Sequence, residues 1–191
     1  MALEMWEAVE TILDEFESNN EIKVIVMKGA GDKAFVSGAD ISEFKERRNN
    51  AEAAAEYARI SEGARARLMA VKKPLIGMIQ GYCLGGGMAV AMAADMRFAS
   101  YDSQFGIPAA RLSIAYGFDG LHKLVHLVGP AMASEIMFTA RRVSPEEAQK
   151  IGLINRAVPI DKLEPAVREV ADAINADVVC ECFFSAIERG A

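Results

Sequence analysis

The chain has 191 residues, 52% of them hydrophobic, which suits one domain around a buried core. A formal net charge of -6 argues against nucleic acid or an anionic membrane as the main partner, because phosphate surfaces call for a basic face. Three cysteines, Cys83, Cys180 and Cys182, are odd in number and lack Cys-x-x-Cys spacing, so neither a disulfide framework nor a zinc site is indicated.

Ala2, Met5, Trp6, Val9, Ile12, Leu13 and Phe16 recur at helical spacing between acidic residues and predict an amphipathic helix at the start. Lys23 to Lys28 is β-branched and apolar and reads as a strand running into Gly29-Ala30-Gly31-Asp32. Phe35 to Ile41 follows and leads into a charged helix. Its run Lys45-Glu46-Arg47-Arg48 reads as a solvated face. Ala51 to Val71 predicts a long helix stopped by Lys72-Lys73-Pro74, and Leu75 to Gln80 the next strand.

Met88 to Ala94 is apolar on every side, the mark of a helix buried among several neighbours. Met96 to Ala99 reads as a short strand and Tyr101 to Tyr116 mostly as loop. Ser144-Pro145-Glu146-Glu147 supplies an N-cap, a first-turn proline and a glutamate placed for a capping box, so a helix starts there and ends by Gly152. Arg156 to Val158 is a last short strand before a helix from Asp161 to Asn175. No fixed-period repeat or linker divides the chain, and alternating strands and helices predict a single α/β domain over residues 1–191. No basic segment followed by an apolar run opens it, and the apolar run after Gly87 is broken by Asp95 and Arg97. A cytoplasmic protein is the expectation.

One stretch carries chemistry. Gly85-Gly86-Gly87 separates a strand-like run from a helix-like run, so backbone N–H groups can approach a ligand at the positive end of a helix dipole. Two readings stay open: half of an oxyanion hole, or glycines that only allow tight packing of the turn. A phosphate-cradling loop would need Lys and then Ser/Thr after its last glycine, where this chain has Met88-Ala89, and the Gly-x-Gly-x-x-Gly pattern of dinucleotide folds is absent.

Taken with Ala34-Phe35-Val36-Ser37-Gly38-Ala39-Asp40-Ile41, with Gln104-Phe105-Gly106 and with Phe138 to Asn155, the glycine stretch resembles the crotonase (enoyl-CoA hydratase/isomerase) superfamily, from about Met5 to Pro159. The resemblance implies a spiral of ββα units, a lyase-type acyl-CoA-processing enzyme of fatty acid metabolism, a homotrimer or hexamer, and no cofactor, coenzyme A arriving as the substrate's thioester. It implies that the N–H groups of Ala39 and Gly86 hold the thioester oxygen as it becomes an enolate. Coenzyme A would then run along Ser37, Gly38, Asp40 and Ile41 and along Leu84 and Gly85. The acyl group would face Ala89, Ala109 and Tyr116, with Pro108 and Ala115 as further substrate-binding positions.

Hydratases of that family carry glutamates where this chain has Ala89 and Ala109, and alanine neither gives nor takes a proton. Ala115 to His122 resembles the matching stretch of methylmalonyl-CoA decarboxylases, which makes Tyr116 the candidate proton donor of a glutamate-independent enolate reaction such as decarboxylation. Its other reading is a buried ring with its hydroxyl on a carbonyl. A non-catalytic or structural family member is the alternative for the whole chain. Asp119 reads as a turn or cap residue, His122 and His126 as a helix face lacking a third metal ligand, Cys83 as a small buried residue, and Met78, Met88, Met92 and Met96 as core. Relative to the family the chain reads as truncated at both ends, with Asp177 to Ala191 unmatched.

Overall fold

The computed structural model describes residues 3–38 and 51–176. Helix α1 (Leu3–Ser18) leads to strands β1 (Ile25–Lys28) and β2 (Ala34–Val36), then to the long helix α2 (Ala51–Met69). Strands β3 (Leu75–Ile79) and β4 (Tyr82–Leu84) feed helix α3 (Gly86–Ala93). Strands β5 (Met96–Ser100) and β6 (Gln104–Gly106) are followed by a 3-10 turn (Pro108–Leu112) and helices α4 (Phe118–Val128), α5 (Pro130–Thr139) and α6 (Pro145–Lys150). Strand β7 (Arg156–Val158) and helix α7 (Ile160–Ala176) complete the described chain.

The first three strand pairs each give one strand to a four-stranded sheet, ordered β1-β3-β5-β7, and the next to a three-stranded sheet, ordered β2-β4-β6. All named pairings are parallel, with Ile25 opposite Leu75, Ile76 opposite Met96 and Phe98 opposite Arg156. This is the spiral of ββα units expected from the resemblance.

Parallel strands buried on both faces need apolar residues at successive positions, and β3 has them. Leu75 and Ile79 face the main core with α1, α2 and α3 residues, while Ile76 joins Phe98, Leu163 and Val167 in a second cluster under α7. Met88 and Met92 are buried core residues, as expected, and α3 is buried on nearly every side. Two of the apolar residues assigned to the α1 face, Met5 and Ile12, are exposed instead; the burying contacts come from Trp6, Leu13, Val9 and Phe16. Among the described residues no helix is long and apolar enough to cross a membrane.

Polar contacts fix the packing angles. Arg67 on α2 reaches Asp14 and Glu17 of α1 at 2.7 Å each, and Glu17 also accepts the N–H of Lys72. Lys73 Nζ donates to the carbonyls of Phe16 and Asn19, satisfying the C-terminal end of α1, where a cation suits the dipole. Burial works against the charge of Glu17, but the Lys72 N–H and the Arg67 guanidinium outweigh it and hold the carboxyl below its ordinary range. Arg97 is buried in β5 and donates to the carbonyls of Ala94 and Leu153, stitching β5 to the chain that enters β7. Its burial pushes the guanidinium down to about 10, with Asp95 opposing. Ser144 caps α6 through the N–H of Glu147, as expected, but the Glu147 carboxylate pairs with Arg141 rather than closing a capping box.

Tyr101 to Tyr116, expected to be mostly loop, contains β6 and the 3-10 turn, and the two helices α4 and α5 occupy a region in which only the histidine pair had suggested a helix. Strand β4 is likewise an addition. A β-carbon at Gly87 would sit 1.9 Å from the Val36 carbonyl oxygen, so α3 approaches β2 as closely as backbone allows.

Two outcomes follow from this packing. Gly87→Ala is expected to lower the unfolding free energy, read from urea melts, by an amount at or above the top of the roughly 1–3 kcal/mol range for overpacked sites, because the obstacle is backbone. The depressed folded-state carboxyl of Glu17 contributes stability that is fully present above its unfolded value near 4.5 and is lost as pH falls below that. Urea melts between pH 6 and 3 should therefore show a decline that is shallower in Glu17→Gln.

Candidate active site

The three strands of the smaller sheet run parallel, so the loops leaving Val36, Leu84 and Gly106 emerge at one end. Ligands of parallel α/β sheets bind beyond the carboxyl ends of their strands, and this end carries the sequence-assigned residues. Gly85 has φ 55°, a left-handed value that favours glycine, and its N–H donates to the Gly106 carbonyl at 2.8 Å. That bond fixes the loop before α3 against the loop that enters Pro108.

The neighbours are close. A β-carbon at Gly38 would lie 3.9 Å from the Leu84 carbonyl oxygen, one at Gly85 would lie 3.8 Å from Pro108 Cδ, and one at Gly86 would lie 3.9 Å from Gly38 Cα. Gly38, Leu84, Gly85, Gly86 and Pro108 are thus brought together by folding, with Ser37 exposed beside them. Gly86 and Gly87 are the first two residues of α3, where helical N–H groups have no intrahelical acceptor and the dipole end is positive. Ala39, Asp40 and Ile41 lie outside the described residues.

Ala89 sits in the first turn of α3 and is half-buried, and Ala109 is buried in the 3-10 turn. The Ala109 carbonyl accepts both the Ser113 and Ile114 N–H groups, and Ser113 adopts φ 52°, reversing the chain so that Tyr116 returns to the core. Ala115 beside it is exposed.

The ring of Tyr116 packs on the main core, and its hydroxyl is buried with no hydrogen-bond partner among the described residues. Among the described residues no carbonyl accepts from it, so that reading of the residue finds no support there. Burial, and secondarily the neighbouring Cys83 thiol, push the phenol well above its ordinary range, with Arg65 on α2 opposing. Cys83 in β4 is fully buried and its thiol is pushed upward by burial, so it is an inert core residue, as read from the sequence.

Arg111, Ser113, Asp119 and His122 are exposed, and among the described residues no group of three or more His, Cys, Asp or Glu residues could hold a metal ion. His122 stacks on Phe118, with ring centroids 6.1 Å apart. At the opposite, amino ends of the small sheet, Lys33, Tyr82, Asp102, Gln104 and Arg142 line a depression of about 350 Å³. Its Arg142 is already held by Gln104 at 3.0 Å and by the Tyr82 ring.

Gly120 is the residue that the sequence reading passed over. It stands in the first turn of α4, where a β-carbon would lie 2.7 Å from Tyr116 Cε1. The sequence signal available was only a glycine inside the helix suggested by His122 and His126, where alanine is the better helix former.

Comparison with known proteins agrees with this geometry. The sequence model of the family described as enoyl-CoA hydratase/isomerase matches residues 1–187, reaching into the terminal segment that the resemblance had left unmatched. The short-chain-enoyl-CoA hydratase of Clostridium acetobutylicum is 38% identical over 181 residues, covering 94% of this chain and 69% of that protein. The crotonyl-CoA hydratase of Syntrophomonas wolfei is 36% identical, covering 90% of this chain and 64% of that one. The solved enoyl-CoA hydratase from Bacillus anthracis superposes with a TM-score of 0.88 at 30% identity, covering 93% of this chain and 68% of that one. The chain spans about two thirds of the length of these relatives. On the family match, the parallel two-sheet spiral and the loops that converge at Gly38 and Gly86, the chain belongs to the enoyl-CoA hydratase/isomerase family.

Proposed function

We propose that the chain processes an acyl-CoA thioester by holding its carbonyl oxygen on the N–H groups of Ala39 and Gly86 while the substrate becomes an enolate. The observation that carries this reading is the approach of Gly38 to Gly86 at the first residue of α3. Charge grows on oxygen along the reaction, so fixed donors bind the transition state better than the ground state. One such donor is worth about 2.7–4 kcal/mol.

Coenzyme A would follow Ser37 to Ile41 and Leu84 to Gly86, and the acyl group would face Ala89, Ala109 and Tyr116. The curated relatives named above are hydratases. In this chain the two positions that the resemblance assigns to hydratase glutamates are methyl groups, which supports an enolate reaction that uses no carboxylate pair. Decarboxylation of a malonyl-type thioester is the reaction this site suits best. The bond to the carboxylate breaks, its electron pair passes into the enolate, carbon dioxide leaves, and the α-carbon then takes a proton. Tyr116 is the group proposed to deliver that proton; burial raises its phenol, so the hydroxyl gives up its proton only to a strong base such as the enolate carbon and is reprotonated from solvent. The reading includes the cytoplasmic homotrimer or hexamer expected from the resemblance.

The absence of a proton-transferring side chain at positions 89 and 109 also favours a second reading, a family member that binds acyl-CoA without turning it over. Incubation of purified protein with crotonyl-, malonyl- and methylmalonyl-CoA, followed by mass spectrometry, separates the two. Product from malonyl-type thioesters supports the first. Binding without product supports the second, and hydration of crotonyl-CoA alone would exclude decarboxylation.

Two substitutions test the roles. Gly86→Ala meets only an ordinary contact at Gly38, so it should fold with an unchanged thermal midpoint and lose about 10²–10³ in kcat by filling the gap between the loops. Tyr116→Phe should lose about 10² in kcat while thioester affinity stays within about twofold. Full turnover by either variant removes that residue from the proposal.

A further inference from the structure

We infer that Gly120 is a positioning residue: the missing side chain at this point of α4 lets the Tyr116 ring lie against the helix and keeps its hydroxyl turned into the interior. The inference rests on the proposed role of Tyr116 and adds a residue whose effect can be separated from it.

Glycine is a poor choice at this place. Gly120 lies within α4, and its backbone is not among the left-handed glycines, so helix propensity favours alanine and conformation does not forbid it. The reason for glycine is therefore contact. A β-carbon would lie 2.7 Å from Tyr116 Cε1, 3.3 Å from Cζ and 3.4 Å from the hydroxyl oxygen. The first of these is closer than carbon atoms can sit, and one of the two groups must move.

The helix is the better anchored of the two. The N–H of Leu121 bonds to the Gly117 carbonyl at 3.1 Å, and Leu124 one turn further on is completely buried in the main core. The tyrosine ring turns about two single bonds, and no hydrogen bond from the described residues holds its hydroxyl. Adding one methyl group at position 120 should swing the ring away and carry the hydroxyl out of its buried place. Gly117, on the other side of Tyr116, provides the control. A β-carbon there meets nothing within 4 Å, and its φ of -63° accepts alanine.

The test compares Gly120→Ala, Gly117→Ala and Tyr116→Phe in the full chain. The direct readout is nitration by tetranitromethane, mapped by mass spectrometry. In the unaltered protein Tyr116 should resist nitration while Tyr82 and Tyr101, 43% and 50% exposed, react. In Gly120→Ala it should react at the rate of those two, and in Gly117→Ala it should stay protected. Gly120→Ala should keep a single cooperative thermal transition, with a midpoint lowered by the lost ring packing, and nitration is read well below that midpoint, which separates ring displacement from unfolding. Turnover of the thioester that the unaltered protein processes should fall about tenfold or more in kcat with KM within about twofold.

Continued protection of Tyr116 in Gly120→Ala would overturn the inference. So would an exposed Tyr116 with unchanged kcat while Tyr116→Phe is impaired, and in that case the role of the tyrosine itself would stand. Full activity in Tyr116→Phe would instead overturn the proton-donor reading, and the positioning role would fall with it.

Discussion

The contact between Gly87 and the Val36 carbonyl sets the position of everything at the carboxyl end of the small sheet. No β-carbon fits between them, so the first turn of α3 can rest on the end of β2 only because position 87 has no side chain. This contact acts together with the pairing of β4 to β2 and the Gly85 N–H bond to Gly106. Three loops from distant parts of the sequence are thereby locked to one another by backbone alone. The positive end of the α3 dipole and its first-turn N–H groups, which have no intrahelical acceptor, lie at the end of the sheet where Gly38 approaches Gly86. On the proposed reading, a site built in this way needs no charged side chain to attract a developing oxyanion.

The electrostatics of the surrounding core fit that economy. Arg97 is the buried cation of the large sheet, and its guanidinium is spent on carbonyls of Ala94 and Leu153, so it braces strands rather than facing a substrate. Cys83 lies one residue from the loop, but burial keeps its thiol protonated. The ion pairs Arg67 with Asp14 and Glu17 and Arg141 with Glu135 and Glu147 hold helices to one another. Tyr116 is different. Its hydroxyl has left water without gaining a partner among the described residues, a cost that a buried polar group ordinarily avoids and that a substrate atom or a bound water could relieve.

Much of this was legible in the residues. The β-branched runs ending at Lys28 and Gln80, the helix buried on all sides after Gly87, the Ser144 cap and the strand from Arg156 to Val158 all carry strong local patterns, and each stands where the sequence placed it. The three-residue strands β4 and β6 do not. Their partners come from loops far away in the chain, and a run as short as Gln104 to Gly106 has no periodicity to read. The glycine triplet and Ser37-Gly38 were visible as motifs, but that Gly86 and Gly38 face one another is a product of the parallel register. Gly120 was hidden for a related reason, since its meaning depends on a ring four residues away folding back onto the helix. Met5 and Ile12 show the opposite error, apolar residues that match the helical period yet lie beyond the reach of α2.

The division between backbone and side chain also bears on what kind of change such a site tolerates. An oxyanion hole made from peptide N–H groups persists through almost any substitution that preserves the loop, because the donors belong to the main chain. Proton transfer depends on side chains, and replacing a carboxylate by a methyl group removes it at one stroke. Enolate stabilisation is therefore the property tied to the fold, and the fate of the enolate is the property that individual residues decide. Relatives at 36–38% identity named as hydratases and a chain with alanine at both 89 and 109 can share the first property and differ in the second. On the proposed reading, with the hole formed by main chain and a buried phenol that has no hydrogen-bond partner among the described residues, the identity of the proton donor becomes the point at which this chain's chemistry is set.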